Sequence, residues 1–124
     1  MRRVLFVVAV LVLVASVVPA MAQDPVKVDS KHYKVEFEND AVRVLRITYG
    51  PHEKSVMHEH PPNVAVFLTD IHARFTLPAG KTEEVHPKAG SAQWAAGGKH
   101  LPENLGDKPF ELVLVEVKRR PAAK

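Results

Sequence analysis

The chain reads as all-β, a sandwich or a small barrel. Short runs of β-branched and aromatic residues alternate with polar ones, glycine or proline stands at most joins, and nothing after residue 22 carries a helical period. Tyr33, Val35 and Phe37 alternate with Lys34, Glu36 and Glu38, which places the three apolar side chains on one half-buried face. Asn39-Asp40 supplies the turn into residues 42–49, which end at Gly50-Pro51. A strand carrying Met57-His58-Glu59-His60 follows and stops at Pro61-Pro62.

Residues 64–69 form a short apolar strand, and 73–77 its antiparallel return after a turn at Asp70-Ile71-His72. Pro78-Ala79-Gly80-Lys81 reads as a hairpin into 82–86, and Lys88-Ala89-Gly90 turns the chain into Gln93-Trp94-Ala95. Gly97-Gly98 makes another turn directly before His100. Residues 110–118 form the longest and most apolar strand, and homodimerisation through it would follow if it lay at a sheet edge. Trp94, Phe67 and Tyr49 are single aromatics in strands and are expected in the core.

Four segments result. Residues 1–22 have the pattern of a signal peptide: Arg2 and Arg3, an apolar run over 4–18, and Ala20-Met21-Ala22 before Gln23. The run is shorter than the ~18 residues of a membrane span, so cleavage and export to a periplasmic or extracellular location are expected, with no membrane association afterwards. Residues 23–39 are a lead-in with the first strand, 40–118 the barrel and 119–124 a basic tail.

Of 124 residues, 17 are Lys or Arg and 14 Asp or Glu. Without Arg2 and Arg3 the balance is 15 against 14, near +1, and gives no case for nucleic-acid binding. The chain has no cysteine, so disulfides and thiolate chemistry are excluded and any metal must be held by His, Asp or Glu. No serine sits in a nucleophile-turn motif, and no glycine loop precedes a helix in the manner of a phosphate cradle.

The chemistry lies in the histidines. Side chains two apart on a strand leave one face, so His58 and His60 can converge on an ion while Glu59 points away. With His100 they make three neutral imidazoles, enough for a metal site that keeps open positions. Imidazole suits one divalent transition metal, Fe, Mn, Ni, Cu or Zn. Gln93 and Glu103 are candidates for extra ligands or for partners that orient an imidazole, although solvated positions suit both. His32, His72 and His86 have no partner at ligand spacing and are expected on the surface, while Asn104 is suited to holding the turn after His100.

The two histidine-bearing stretches together resemble the cupin superfamily. Its first motif is Gly, five residues, His-x-His, three or four residues, Glu, six residues, Gly; here the same spacing reads His52, His58-Glu59-His60, Val64, Ile71. The second is Gly, five residues, Pro-x-Gly, two residues, His, three residues, Asn, against Gly90, Ala96-Gly97-Gly98, His100 and Asn104, with one residue fewer before the histidine. The resemblance covers about residues 40–118 and implies a small jelly-roll barrel with a metal held at one end of a cavity.

Within the family the metal set is three histidines and a glutamate, whose place Val64 takes, so a three-histidine site or a site that has lost its metal is implied. His52 falls on a glycine position, where an exposed turn residue is expected rather than a fourth donor. The family register would turn Val64, Val66 and Leu68 inward, lining a cavity for a small-molecule ligand. As an enzyme, such a protein would be a metal-dependent, dioxygenase-like oxidoreductase acting on a small organic molecule. The alternatives are a non-catalytic module for a small ligand or metal, and a metal-free interaction domain.

Overall fold

The structure is a computed structural model and describes residues 23–118. The expected signal peptide and the basic tail lie outside the described residues. A four-residue helix, α1 (Pro25–Val28), precedes nine strands: β1 (Tyr33–Glu38), β2 (Val42–Tyr49), β3 (His58–His60), β4 (Asn63–Phe67), β5 (Ala73–Thr76), β6 (Thr82–Val85), β7 (Ala92–Ala95), β8 (Gly98–Asn104) and β9 (Phe110–Val117). They form a five-stranded sheet in the order β1-β2-β9-β4-β7 and a four-stranded sheet in the order β3-β8-β5-β6, with every named pair antiparallel. The expected strands fall within a residue or two of these bounds.

The core sits between the sheets. Alternation on β2 and β9 sends Leu45, Ile47 and Tyr49, with Phe110, Leu112 and Leu114, inward to meet Tyr33, Phe67, Ile71 and Ala73. Strand β9 pairs with β2 on one side and β4 on the other, so its apolar length reflects a central position. The expectation that it offers an edge for dimerisation is therefore corrected. The sheet edges are β1 and β7 in one sheet and β3 and β6 in the other.

Three expectations of facing also change. The register of β1 shifts between Val35 and Phe37, a bulge that lets Glu36 reach Arg46 and pairs Phe37 with Val44 on the outer side, where Phe37 is 54% exposed. Strict alternation had put Phe37 beside Tyr33; one extra residue reverses its face. On β4 it is Asn63, Ala65 and Phe67 that face the interior, while Val64 lies opposite Trp94 and Val115 on the outer face and Leu68 is exposed. Trp94, expected in the core, is 63% exposed on the edge strand β7. Phe37, Val44, Val115, Val64 and Trp94 thus form one in-register apolar row across the outside of the five-stranded sheet.

The lead-in is docked rather than loose. Asp24 caps α1 by accepting from the Val26 N–H at 3.0 Å, Pro25 is buried, and the Gln23 carbonyl accepts from the Glu59 N–H at 2.9 Å along the free edge of β3. His32, expected on the surface, is buried against Tyr49, the two rings parallel with centroids 4.2 Å apart.

Candidate metal centre

Strand β3 is short because Pro61 follows it, yet its three residues suffice to set the site. Period two puts His58 and His60 on one face, and the antiparallel register with β8 places His100 directly opposite His58. The join between β7 and β8 closes over the same place: Gly97 has φ 91°, and a Cβ there would sit 2.5 Å from the His60 carbonyl oxygen. A larger residue at 97 would push β8, and His100 with it, away from β3.

The three rings stand mutually perpendicular, at 88–89°, with centroids 4.9, 4.9 and 5.1 Å apart. Nε2 of His58 lies 3.1 Å from Nε2 of His60 and 3.1 Å from Nε2 of His100. Two nitrogens at ~2.1 Å from one ion are ~3.0 Å apart when they subtend a right angle and ~3.4 Å apart in a tetrahedron. The observed separations suit three adjacent positions around a common centre.

Tautomers decide whether that convergence is chemical. Nδ1 of His60 lies 2.8 Å from Oε2 of Glu116, and Nδ1 of His58 lies 2.8 Å from the Val56 carbonyl oxygen. Ser55 Oγ, 3.3 Å from the same His58 nitrogen, donates its own proton to Asp29 and can only accept from the ring. Each partner is an acceptor, which assigns the ring proton to Nδ1 in both residues. With both rings neutral, their Nε2 atoms face one another at 3.1 Å as two bare lone pairs. His100 can lend one proton to His58, but nothing in the trio bridges His58 and His60. A cation between them removes the repulsion, so the donor set fits a metal.

Electrostatics favour the same state. Burial, and then the neighbouring His60, lowers the His58 pKa to about 4; burial, and then His60 and His58, lowers His100 to about 3. Both rings are neutral at neutral pH, the state in which imidazole can bind a metal. Burial opposes ionisation of Glu116, but hydrogen bonds from His60 and Arg43 outweigh it and hold its carboxyl below the usual range.

Glu116 belongs to a chain of contacts that runs to the lead-in. Arg43 donates from Nε to Oε1 of Glu116 at 2.7 Å and forks onto the Asp24 carboxylate with both terminal nitrogens, each at 2.9 Å. Asp24, Arg43, Glu116 and His60 are thereby fixed in one line. On the other flank Asp29 accepts from Ser55 and lies 2.7 Å from Nδ1 of His32. These supports were missed in the sequence. The signal for Glu116 was legible: it continues the inward series Phe110, Leu112, Leu114, where a carboxylate needs a partner.

A cavity of about 310 Å³ opens from the trio between the sheets. His60 and His100 line it; Tyr33, Tyr49, Phe67, Phe75, Phe110 and Leu114 supply apolar wall, with Asn63, Glu83 and Gln93 as polar points. The Tyr33 and Tyr49 hydroxyls lie 2.6 Å apart, and the Tyr33 ring stands edge-on to His58 with centroids 4.8 Å apart. Burial raises both phenols above their ordinary pKa, so they are neutral hydrogen-bonding groups.

Comparison with solved structures shows the same architecture. A cupin domain from Bordetella pertussis Tohama I superposes with a TM-score of 0.66 at 24% identity, covering 70% of this chain and 92% of that one. The chain has the cupin fold. A double-stranded β-helix protein from Klebsiella pneumoniae gives 0.55 at 24% identity over 68% and 74% of the two chains, and a cupin superfamily protein from Desulfitobacterium hafniense 0.53 at 11% over 70% and 76%. The sequence matches no family model and no curated protein.

Within the cupin barrel, the motif positions sort by what they do. Val64, in the place of the family's glutamate, faces outward, so β4 offers Asn63 and Ala65 to the cavity. The carboxylate nearest the trio comes instead from β9, as Glu116, behind His60 rather than beside the metal position. His52 adopts a left-handed φ of 59° in an exposed turn and pairs with Asp107 at 2.8 Å, away from the trio. Glu103 lies on the opposite face of β8 from His100 and pairs with Arg74 at 3.7 Å, whereas Gln93 lines the cavity. Asn104 does hold a turn: Nδ2 donates to the Gly50 and Lys108 carbonyls, and Oδ1 accepts from Gly106 N–H.

Proposed function

We propose that this protein binds one divalent transition metal through His58, His60 and His100 and acts on a small organic molecule in the adjoining cavity. The observation that carries the reading is the 3.1 Å approach of two imidazole Nε2 atoms whose rings each turn Nδ1 to an acceptor. A first-row ion at that point would supply Lewis acidity and, where it is redox-active, a route for electrons to O2. Three neutral ligands leave the charge of such an ion uncancelled, which favours an anionic or chelating oxygen ligand. The chain's own groups would orient that ligand: Asn63 and Gln93 by hydrogen bonds, and the aromatic walls by excluding water. The leader pattern supports an exported protein, periplasmic or extracellular.

A second reading, a binder without turnover, is favoured by the state of Glu116, whose two oxygens are both engaged and therefore not free to act as a base. Elemental analysis of protein prepared from its native compartment tests the metal. One equivalent is expected at this site, lost in His58→Ala and in His100→Ala; unchanged content in both variants would reject the site. O2 uptake against small diphenols and diketones then separates enzyme from binder, with no uptake across the panel favouring the binder.

A further inference from the structure

A second set of donors lies on the far side of the cavity wall. Strands β5 and β6 pair Ala73 with Val85 and Arg74 with Glu84, so one step further along the register His72 comes opposite His86. Glu84 precedes His86 by two residues and shares its face. Ala73, Phe75 and Val85 line the cavity, which puts His72, Glu84 and His86 together on the outer face of this hairpin.

Oε2 of Glu84 is 3.4 Å from Nε2 of His72 and 4.0 Å from Nε2 of His86, and one donor atom from each of the three lies within 4.8 Å of the others. The imidazoles stack with centroids 4.4 Å apart. All three side chains are about half exposed, so the rings turn freely to direct their lone pairs at one point. We propose that His72, Glu84 and His86 form a second, solvent-facing site for a divalent transition ion, one that leaves its remaining positions to water.

Two imidazoles with one carboxylate select borderline ions such as Zn2+, Cu2+ or Ni2+ over Mg2+ and Ca2+, which prefer all-oxygen ligands. A competitor is present, and it has somewhere to go. Arg74 Nη2 lies 3.8 Å from Oε1 of Glu84, while its Nη1 lies 3.7 Å from Glu103, so an ion that takes Glu84 leaves the guanidinium paired. The consequence reaches the cavity. Strand β6 is an edge held only by β5, and an ion joining the segment before β5 to β6 and the residue after it would clamp that wall from outside.

The site is independent of the buried trio, and Zn2+ titration separates them. Calorimetry on the full protein is expected to give two equivalents, falling to one in the His72→Ala/His86→Ala double variant, with amide exchange in β6 slowed by Zn2+ in the parent and not in the variant. A parent taking up one equivalent that survives His58→Ala but not the double variant would uphold this site while rejecting the buried one. Unchanged stoichiometry in the double variant, or β6 exchange indifferent to Zn2+, would overturn it.

Discussion

The molecule carries two trios of donors, and their surroundings could hardly differ more. His58 and His60 are buried, and each has its Nδ1 proton pinned by an acceptor; His72, Glu84 and His86 share their solvent-exposed face with Arg74. Both rest on the same two devices, side chains two apart on a strand and a residue opposite them on its neighbour. The difference teaches that register brings donors together, whereas burial and the groups behind them decide whether they are held ready. At the buried trio the rings are ordered without an ion; at the exposed one an ion would have to impose the order.

The largest effect that separates the two trios is expected from acid. His58 and His100 have folded-state pKa values of about 4 and about 3, below the ordinary ~6.5 of imidazole. The unfolded chain therefore takes up protons first as the pH drops. The stability these rings contribute is complete above ~6.5 and is lost as the pH falls through about 4 toward 3. Glu116, also held below its usual value, pushes in the same direction. Urea midpoints of the metal-free protein are expected to fall steadily below pH 6.5 and to fall less in a His58→Gln/His100→Gln variant; a flat profile down to pH 4 would mean that the rings are not desolvated.

Glu116→Gln sharpens the contrast at constant shape. It removes the charge that fixes the His60 tautomer, so affinity at the buried trio is expected to weaken by ~10–100-fold in a competition with a chromophoric chelator. Binding at the outer hairpin should not change. Equal weakening at both would show that the effect is a general loss of structure.

A smaller effect is expected from Asp24→Ala, which removes the cap of α1 and the forked partner of Arg43. Loss of a cap costs about 1 kcal/mol, and urea unfolding should show at least that, with weaker metal retention because Glu116 and His60 lie further along the same chain of contacts. Full retention would mean that the lead-in is only a cover for the edge of β3.

What the sequence could disclose follows from the range of the interactions. The histidine trio was legible because strand period and motif spacing are local, and the two-sheet architecture because turns and alternation recur along the chain. The face of Phe37 was not, since a single bulged residue reverses it without altering the alternation that is read. His32 was placed on the surface because the partners that bury it, Asp29 and Tyr49, act through a turn and a ring stack that composition does not show. Glu116 lay in plain view within an apolar strand, but its meaning depends on Arg43 and His60, 73 and 56 residues away. The outer hairpin site escaped for the same reason, as His72 and His86 meet only once β5 and β6 are paired.

Nitrogen-15 NMR of the imidazole rings in metal-free protein, followed by addition of one equivalent of Zn2+, reads the central arrangement directly. His58 and His60 should both show protonated Nδ1 and bare Nε2 before the ion is added, and the Nε2 resonances of His58, His60 and His100 should then move together. A protonated Nε2 on His58 or His60 at neutral pH, or an ion that shifts none of the three, would contradict the site.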